Sequence, residues 1–542
     1  MTDNVGSTAD PPPAGSTGGS FAPLRQPVFA ALWAATVIGN TGGFMRDVAS
    51  AWLATDLSTS PAAVALVQAA GTLPVFLLAI PAGVLSDILD RRKYLIGIQL
   101  ALVFVCLALM GLAYTGNLTI ELLLALTFLG GAGAALMMPT WQSIVPELVP
   151  FRDLRSAVAL NSLGVNIARS VGPAAGGLLL ASFGAALTYG FNLLSYGFVI
   201  AVLLWWPRPA RPENPLQERF LGAFRAGIRY ARANRQLQVI LFRSGCYFAF
   251  ASSTWALLPL VAKGVLHAGA GFYGVLLGAV GAGAIVGALM MPRLRQRFDA
   301  DWLLLFSALV TAAVMAIVSI GPSKWLALLL LVCLGGAWIF ALTTLGGAAQ
   351  AILPNWVRGR ALAIYLMVFN GAMALGSIVC GLVAQALGVQ ATLLIAAGGL
   401  CVSGIALHRI KLPAGDVDLI PSNHWPEPMV TTPIEHDRGP VLILIDYRIQ
   451  ARNRAAFMRA VQALSGERLR DGAYSWGVTE DVADPEQITE WFMVESWAEH
   501  LRQHQRVMRI DADVQREVLQ FHVGPEAPRV RHLLAVDARR GE

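Results

Sequence analysis

Long apolar runs separated by short charged loops leave this chain few ways to fold. The runs lie near 28–54, 62–85, 94–115, 120–145, 157–181 and 187–206, then 238–262, 271–291, 302–320, 325–350, 361–386 and 390–408. Each reaches the roughly 18 to 20 residues that cross a bilayer as a helix. In hydrocarbon, backbone N–H and C=O groups must be satisfied within their own segment, so the chain is expected to form a bundle of about twelve membrane helices. Composition agrees. Of the 542 residues 56% are hydrophobic and 14% charged, and mean hydropathy is +0.58, which is too apolar for a soluble protein of this length. The lipid bilayer is its first partner.

The charges give an orientation. Arg91, Arg92, Lys93, Arg152, Arg155, Arg293, Arg295, Arg297, Arg358, Arg360, Arg409 and Lys411 fall in alternate loops, and the opposite loops carry little beyond Lys263 and Lys324. Basic loops resist translocation, so both ends of the membrane portion are expected in the cytoplasm. The same distribution accounts for the net charge of +6 without nucleic acid as a partner. Cys106, Cys246, Cys333, Cys380 and Cys401 are isolated within apolar runs and read as packing residues. Residues 1–22, rich in Pro, Gly, Ser and Thr, are expected to be disordered, with no signal peptide before the first span.

An internal repeat divides the membrane portion. A shift of 204 residues carries Gly83 onto Gly287, Asn166 onto Asn370, Gly172 onto Gly376, Gly177 onto Gly381 and Gly184 onto Gly388. Gln142-x-Ile144-Val-Pro146 recurs as Gln350-x-Ile352-Leu-Pro354. The expected fold class is therefore an all-α membrane protein of two parallel six-helix halves, 23–206 and 238–411. Residues 207–237 form a polar linker whose LGAFRAGIRYARANRQL stretch reads as an amphipathic helix on the membrane face. A second linker, 412–439, leads to a charged tail at 440–536.

Ionisable residues inside apolar spans are costly, so they are candidates for function. Asn40, Arg46 and Asp47 interrupt the first span, flanked by Gly42 and Gly43, which permit close helix approach. Asp47 is the candidate proton-responsive group; the alternative is an Arg46–Asp47 pair near the outer interface. In the fifth span Asn161, Asn166 and Arg169 precede Gly172-Pro173-Ala174-Ala175-Gly176-Gly177. Arg169 requires a partner or a wet cavity, with Asp47 or an anionic substrate as its natural counterpart.

The loop Gly83–Lys93, GVLSDILDRRK, carries the resemblance to a known family. Its Gly83-x-Leu85-x-Asp87-x-x-x-Arg91-Arg92 pattern resembles the loop between the second and third helices of major facilitator superfamily transporters. Asp90 stands where that pattern has Gly, and Ile88 where a basic residue is usual. The DRRK form is similar to the branch holding enterobactin-type exporters and transmembrane secretion effectors. The resemblance implies that Asp87 caps or faces a helix of the opposite half, and that Arg91 and Arg92 complete a cytoplasmic gate. The Gly172–Gly177 core resembles the antiporter motif of the superfamily's exporters, with Ala168 in place of an upstream Gly. The family's usual Arg in the fourth helix is missing, since residues 122–146 hold no cation.

The tail reads as strand 441–449, helix 454–464, strands 474–479 and 488–496, helix 498–507 and strand 530–535, a ferredoxin-like order. Its ERLRDGAYSW and WAEHLRQHQR stretches resemble the cytoplasmic tail domain of the secretion-effector branch, so the resemblance covers residues 21–536. The tail also resembles small antibiotic-biosynthesis monooxygenases, yet it offers no nucleophile, metal set or cofactor loop. It is expected to bind a protein partner or to self-associate. His500 and His504, one helical turn apart, are expected on a solvated helix face, and neither a metal nor a cofactor is expected.

These features predict a non-enzymatic secondary transporter, multi-pass in a bacterial plasma membrane. It would export a small molecule (drug-like, siderophore-like or otherwise amphiphilic) by alternating access in exchange for protons. No Walker-type phosphate loop is present. Trp33, Trp52, Trp141, Tyr196, Trp255, Trp338 and Tyr365 are available to an aromatic cavity. The alternatives are a membrane-anchored sensor whose tail is the working part, and a monooxygenase tail.

Overall fold

The structure, a computed structural model, describes residues 21–206, 220–354, 357–413, 438–506 and 509–536. The expectations for 1–20, 207–219 and 414–437 lie outside the described residues. The first half comprises α1 (Pro27–Leu57), α2 (Pro61–Ile88), α3 (Arg91–Thr115), α4 (Ile120–Leu148) and α5 (Leu154–Trp205). A linker helix, α6 (Phe220–Ala233), leads to α7 (Arg235–Leu260), α8 (Ala270–Arg295), α9 (Ala300–Ser319), α10 (Lys324–Ala351), α11 (Arg358–Leu387) and α12 (Val389–Leu407). Among the described residues eleven helices are long and apolar enough to cross a membrane.

The twelfth crossing is hidden in α5. A straight helix of its 52 residues would run about 78 Å, more than twice the bilayer's hydrocarbon depth. The chain instead reverses at Gly184, whose φ of 80° and ψ of 175° only glycine adopts without strain. Gly388, its partner in the repeat, separates α11 from α12 with φ 84° and ψ 161°. The repeat extends to side chains: Asn166 Nδ2 donates to the Ser162 carbonyl at 3.0 Å, and Asn370 Nδ2 to the Leu366 carbonyl at 2.8 Å. Asp90, the departure from the family's glycine, has a local task as N-cap of α3, where it accepts from the Lys93 amide at 2.9 Å.

The halves meet along α5 against α8 and α2 against α11. Small residues decide how closely. A Cβ added at Gly274 would lie 2.6 Å from Gly177 Cα, one at Gly281 2.6 Å from Ser170 Cα, and one at Gly381 2.7 Å from Ala65 Cβ. All these contacts lie on the helix segments away from the basic loops. Toward the basic end, the same two faces diverge: Leu163 on α5, and Ile285 and Leu289 on α8, are exposed. The two bundles are thus closed at the face with few charges and splayed at the basic face.

The closed face is also latched by polar contacts between halves. Lys263 donates to the Thr55 carbonyl at 2.7 Å and pairs with Asp56; Ser60 donates to Gln385; Trp52 and Tyr273 pack with ring centroids 5.8 Å apart. Lys263 and Asp56 are both well exposed, so Asp56→Asn is expected to weaken this closure by no more than about 1 kcal/mol. Cysteine accessibility across the closed face measures it, and a complete opening would show that the latch dominates the seam.

Within the second half Arg243 and Asp301, both buried, pair with each other, while Arg243 Nη1 also donates to the Ile410 carbonyl at 2.7 Å. This ties α7, α9 and the end of α12. The linker helix α6 lies against the second half at the basic face, where Tyr230 donates to the Ile352 carbonyl at 3.4 Å.

The tail comprises β1 (Val441–Arg448), α13 (Arg454–Asp471), β2 (Ser475–Glu480), β3 (Gln487–Val494), α14 (Trp497–Arg506), α15 (Arg509–Leu519) and β4 (Arg529–Leu534). Its sheet has the order β2-β3-β1-β4, every neighbour antiparallel, which is the expected ferredoxin-like arrangement. The helix α15 is an addition to the expected order. Alternate β1 residues Val441, Ile443, Ile445 and Tyr447 are buried, with Phe457 and Val461 of α13 in the same core. Arg229 of α6 reaches the tail, at 3.0 Å from Glu495 and 3.5 Å from Glu499.

Candidate functional site: the crevice between the halves

The helices α1 and α5 run in the same direction, and three glycines set their register. Gly164 sits against Trp33 and Val37, Gly172 against Thr41 and Phe44, and Gly176 against Met45. That register places Arg169 level with Asn40. Asp47 stands seven residues farther along α1, an axial offset of about 10 Å at 1.5 Å per residue. The anticipated Asp47–Arg169 pair is accordingly not formed. Asp47 is instead paired with its neighbour: Arg46 Nη2 lies 2.7 Å and Nε 3.1 Å from Asp47 Oδ1.

Arg46 and Asp47 differ in setting. The Arg46 side chain is 11% exposed, donates to Tyr196 Oη at 3.2 Å and fills the space over Gly130. A larger residue at 130 would collide with its guanidinium. The Asp47 carboxylate is 54% exposed. Arg46 is therefore a fixed counter-charge packed between α4 and the second arm of α5, while Asp47 remains accessible to exchange. Gly42, as expected, permits close approach, with an added Cβ falling 2.8 Å from Asn192 Oδ1; Gly43 faces open space.

Arg169 presents a different picture. With about 100° per residue, Ile167, Val171 and Leu178 form an exposed apolar stripe suited to lipid, and Arg169 lies roughly half a turn away from it, between the faces that touch α1 and α8. It is half-buried, and among the described residues it has neither an ion-pair nor a hydrogen-bond partner. A cation so placed is available to a ligand in the crevice. Asn40 and Asn166 bond back to their own helices, Asn40 to the Thr36 carbonyl at 2.7 Å.

The basic loop is tied to the first half in this state. Arg91 pairs with Glu147 at 2.5 Å and donates to the Ser143 carbonyl at 3.0 Å; Arg92 donates to the Leu203 carbonyl at 2.7 Å and to that of Leu204. Glu147 was not singled out in the sequence, although its place in the last turn of α4, beside the basic loop, was readable. Gly83 has open space where a Cβ would go, and the Asp87 side chain lies outside the described residues. Of the antiporter-like motif, Gly172 and Gly176 pack on α1, and Pro173 and Gly177 on α8.

The aromatic residues do not line one cavity together. Trp52 joins the closed seam, and Tyr196 binds Arg46. Trp255 and Trp338 stack edge-on in the second half with centroids 5.2 Å apart. Trp33 and Trp141 line a small pocket with Asn161.

Residues 18–541 match the family described as transmembrane secretion effector. The chain belongs to that family. This secretion effector is 25% identical over 358 residues to the staphyloferrin A transporter of Staphylococcus aureus, spanning 65% of this chain and 88% of that protein. It is 27% identical over 330 residues to the enterobactin exporter EntS of Salmonella typhimurium, spanning 60% and 78%. Solved structures with the same fold include the nucleoside transporter NupG, with TM-score 0.56 and 13% identity over 71% of this chain and 98% of that one. A bacterial homologue of the lysosomal transporter Spinster, solved in an inward-facing unoccupied conformation, superposes with TM-score 0.56 and 15% identity over 71% and 97%. The secretion effector is thus a multi-pass membrane transporter of the major facilitator fold, with a small antiparallel sheet domain after its last span.

Proposed function

We propose that this protein exports siderophore-like or similarly amphiphilic, anionic small molecules by proton-coupled alternating access. The observation that carries the reading is Arg169, a cation between the halves with no counter-charge among the described residues. A carboxylate or catecholate on the substrate would supply one at little desolvation cost in the wet crevice. The splayed basic face is then the cytoplasmic, substrate-loading face, and both termini are cytoplasmic. Labelling of cysteines placed at Gly116 and Ser422 tests this orientation. Reaction of Ser422→Cys with an impermeant reagent outside intact cells would reverse it.

Asp47 is the proton site in this reading. Its charge is balanced by Arg46 in the splayed state, and protonation would release Arg46 from that pair, so a change of state and a proton are linked reciprocally. The tail is a regulatory module and not an enzyme. Export of a fluorescent siderophore-like anion from vesicles, with and without an uncoupler, is the direct test. Arg169→Ala is expected to abolish export, and Asp47→Asn to make its rate independent of the proton gradient. Unchanged pH dependence in Asp47→Asn would remove Asp47 from the coupling step. Full export by Arg169→Ala would sink the anion reading.

A further inference from the structure

Of the two tail histidines expected on a solvated face, His500 is buried against the sheet and His504 is half-buried. His500 is 1% exposed, because β4 folds alongside α14 and brings His532 to it. One ring nitrogen from each of His500, His504 and His532 lies within 4.8 Å of the other two. Trp497 covers the cluster from one side, with its ring centroid 5.4 Å from that of His500 and 6.1 Å from that of His532.

We propose that His500, His504 and His532 form a binding site for one borderline divalent transition-metal ion of the Zn2+ and Co2+ class. The spacing fits. His500 Nε2 and His504 Nε2 are 3.3 Å apart, the separation of two ligands that share a tetrahedral ion at about 2.05 Å. His532 closes the third side after a small side-chain rotation. The donor set selects the ion: three imidazoles with no carboxylate suit borderline transition metals, and they are a poor match for Mg2+ or Ca2+, which take oxygen ligands.

A second observation points to a ligand. Among the described residues His500 Nδ1 is buried without a hydrogen-bond partner, and so are both amide atoms of Gln503, which is fully buried beside His500. Buried polar atoms are seldom left unspent in a folded domain. With its Nε2 on the ion, the His500 ring would carry its proton on Nδ1 and donate it to the Gln503 carbonyl oxygen, the outer partner that fixes a ligating imidazole, and bound water would complete the tetrahedron. Glu499, adjacent to His500, holds Arg229 of the linker helix at 3.5 Å, so the ion would sit next to the joint between the tail and the membrane portion.

The test uses the full chain in detergent, its affinity tag removed and stripped with a chelator, titrated with Co2+ alone. One equivalent is expected to bind with the visible d–d bands of a tetrahedral nitrogen-rich site, to be displaced by Zn2+ and to resist excess Mg2+. His532→Ala is expected to lower Co2+ affinity more than about tenfold, the loss that even an outer-shell partner produces. If that variant fails to fold by near-ultraviolet circular dichroism, His504→Asn provides the same comparison. Absence of stoichiometric Co2+ binding, or equal affinity in the folded histidine variants, overturns the site.

Discussion

Gly177→Leu is expected to abolish transport while leaving each half of the protein folded. The three atoms nearest to a Cβ at 177 all belong to α8: Gly274 Cα at 2.5 Å, Gly274 N at 2.9 Å and the Ala270 carbonyl at 3.0 Å. These are backbone atoms, which cannot rotate aside as a side chain would. The nearest clashes thus fall in the second half, so insertion and the packing of the first half should survive. Overpacking a close interface costs about 1–3 kcal/mol. Applied to one state of a two-state transporter, that tips the balance by roughly 5- to 150-fold away from closure at the charge-poor face. A cysteine at Ala62, which faces Gly381 across the other seam, should become reactive from that side. Normal export with an unreactive Ala62→Cys would mean that this seam does not limit the cycle.

Glu490→Ala is the second large effect, and it acts on the tail. Glu490 is fully buried on β3 and pairs with the equally buried Arg468 of α13 at 3.0 Å. It also accepts from Tyr447 Oη at 3.1 Å and from Trp476 Nε1 at 3.0 Å. Arg468 lies over the Phe492 ring, 5.0 Å from its centroid. Burial opposes the charge on Arg468, yet Glu490 outweighs it and holds the guanidinium more firmly protonated; burial and then Glu490 raise the Tyr447 phenol. Removing the carboxylate takes the buried counter-charge away from Arg468 and the acceptor away from two further donors in the core. Breaking such a pair costs about 3–5 kcal/mol, a large share of the 5–15 kcal/mol that holds a typical domain. The tail's thermal transition in the full-length protein should fall sharply or vanish, and protease should cut after residue 440. An unshifted tail transition would show that water or repacking replaces the carboxylate. The variant also separates two roles: export that persists with an unfolded tail makes the tail regulatory.

The sequence by itself determined the architecture, because its signals are local and periodic. Apolar runs of bilayer length can do little in lipid except form helices, and alternating basic loops orient them. The 204-residue repeat located two like halves, and the glycines at 184 and 388 marked equivalent reversals that require positive φ. Period-two burial in β1 and β3 similarly made the tail's sheet readable. What the tertiary structure decided were the partners of charged and polar side chains, since those depend on register between segments far apart in the chain. The Asp47–Arg169 pair was reasonable from depth counted along each helix, but the glycine contacts of α1 with α5 fix a stagger of about 10 Å that only packing specifies. Glu490 looks like an ordinary strand residue until α13 lays Arg468 over it. His532 follows the same rule: it stands 28 positions beyond His504 in the sequence, and antiparallel pairing of β4 with β1 is what carries it to the two histidines of α14.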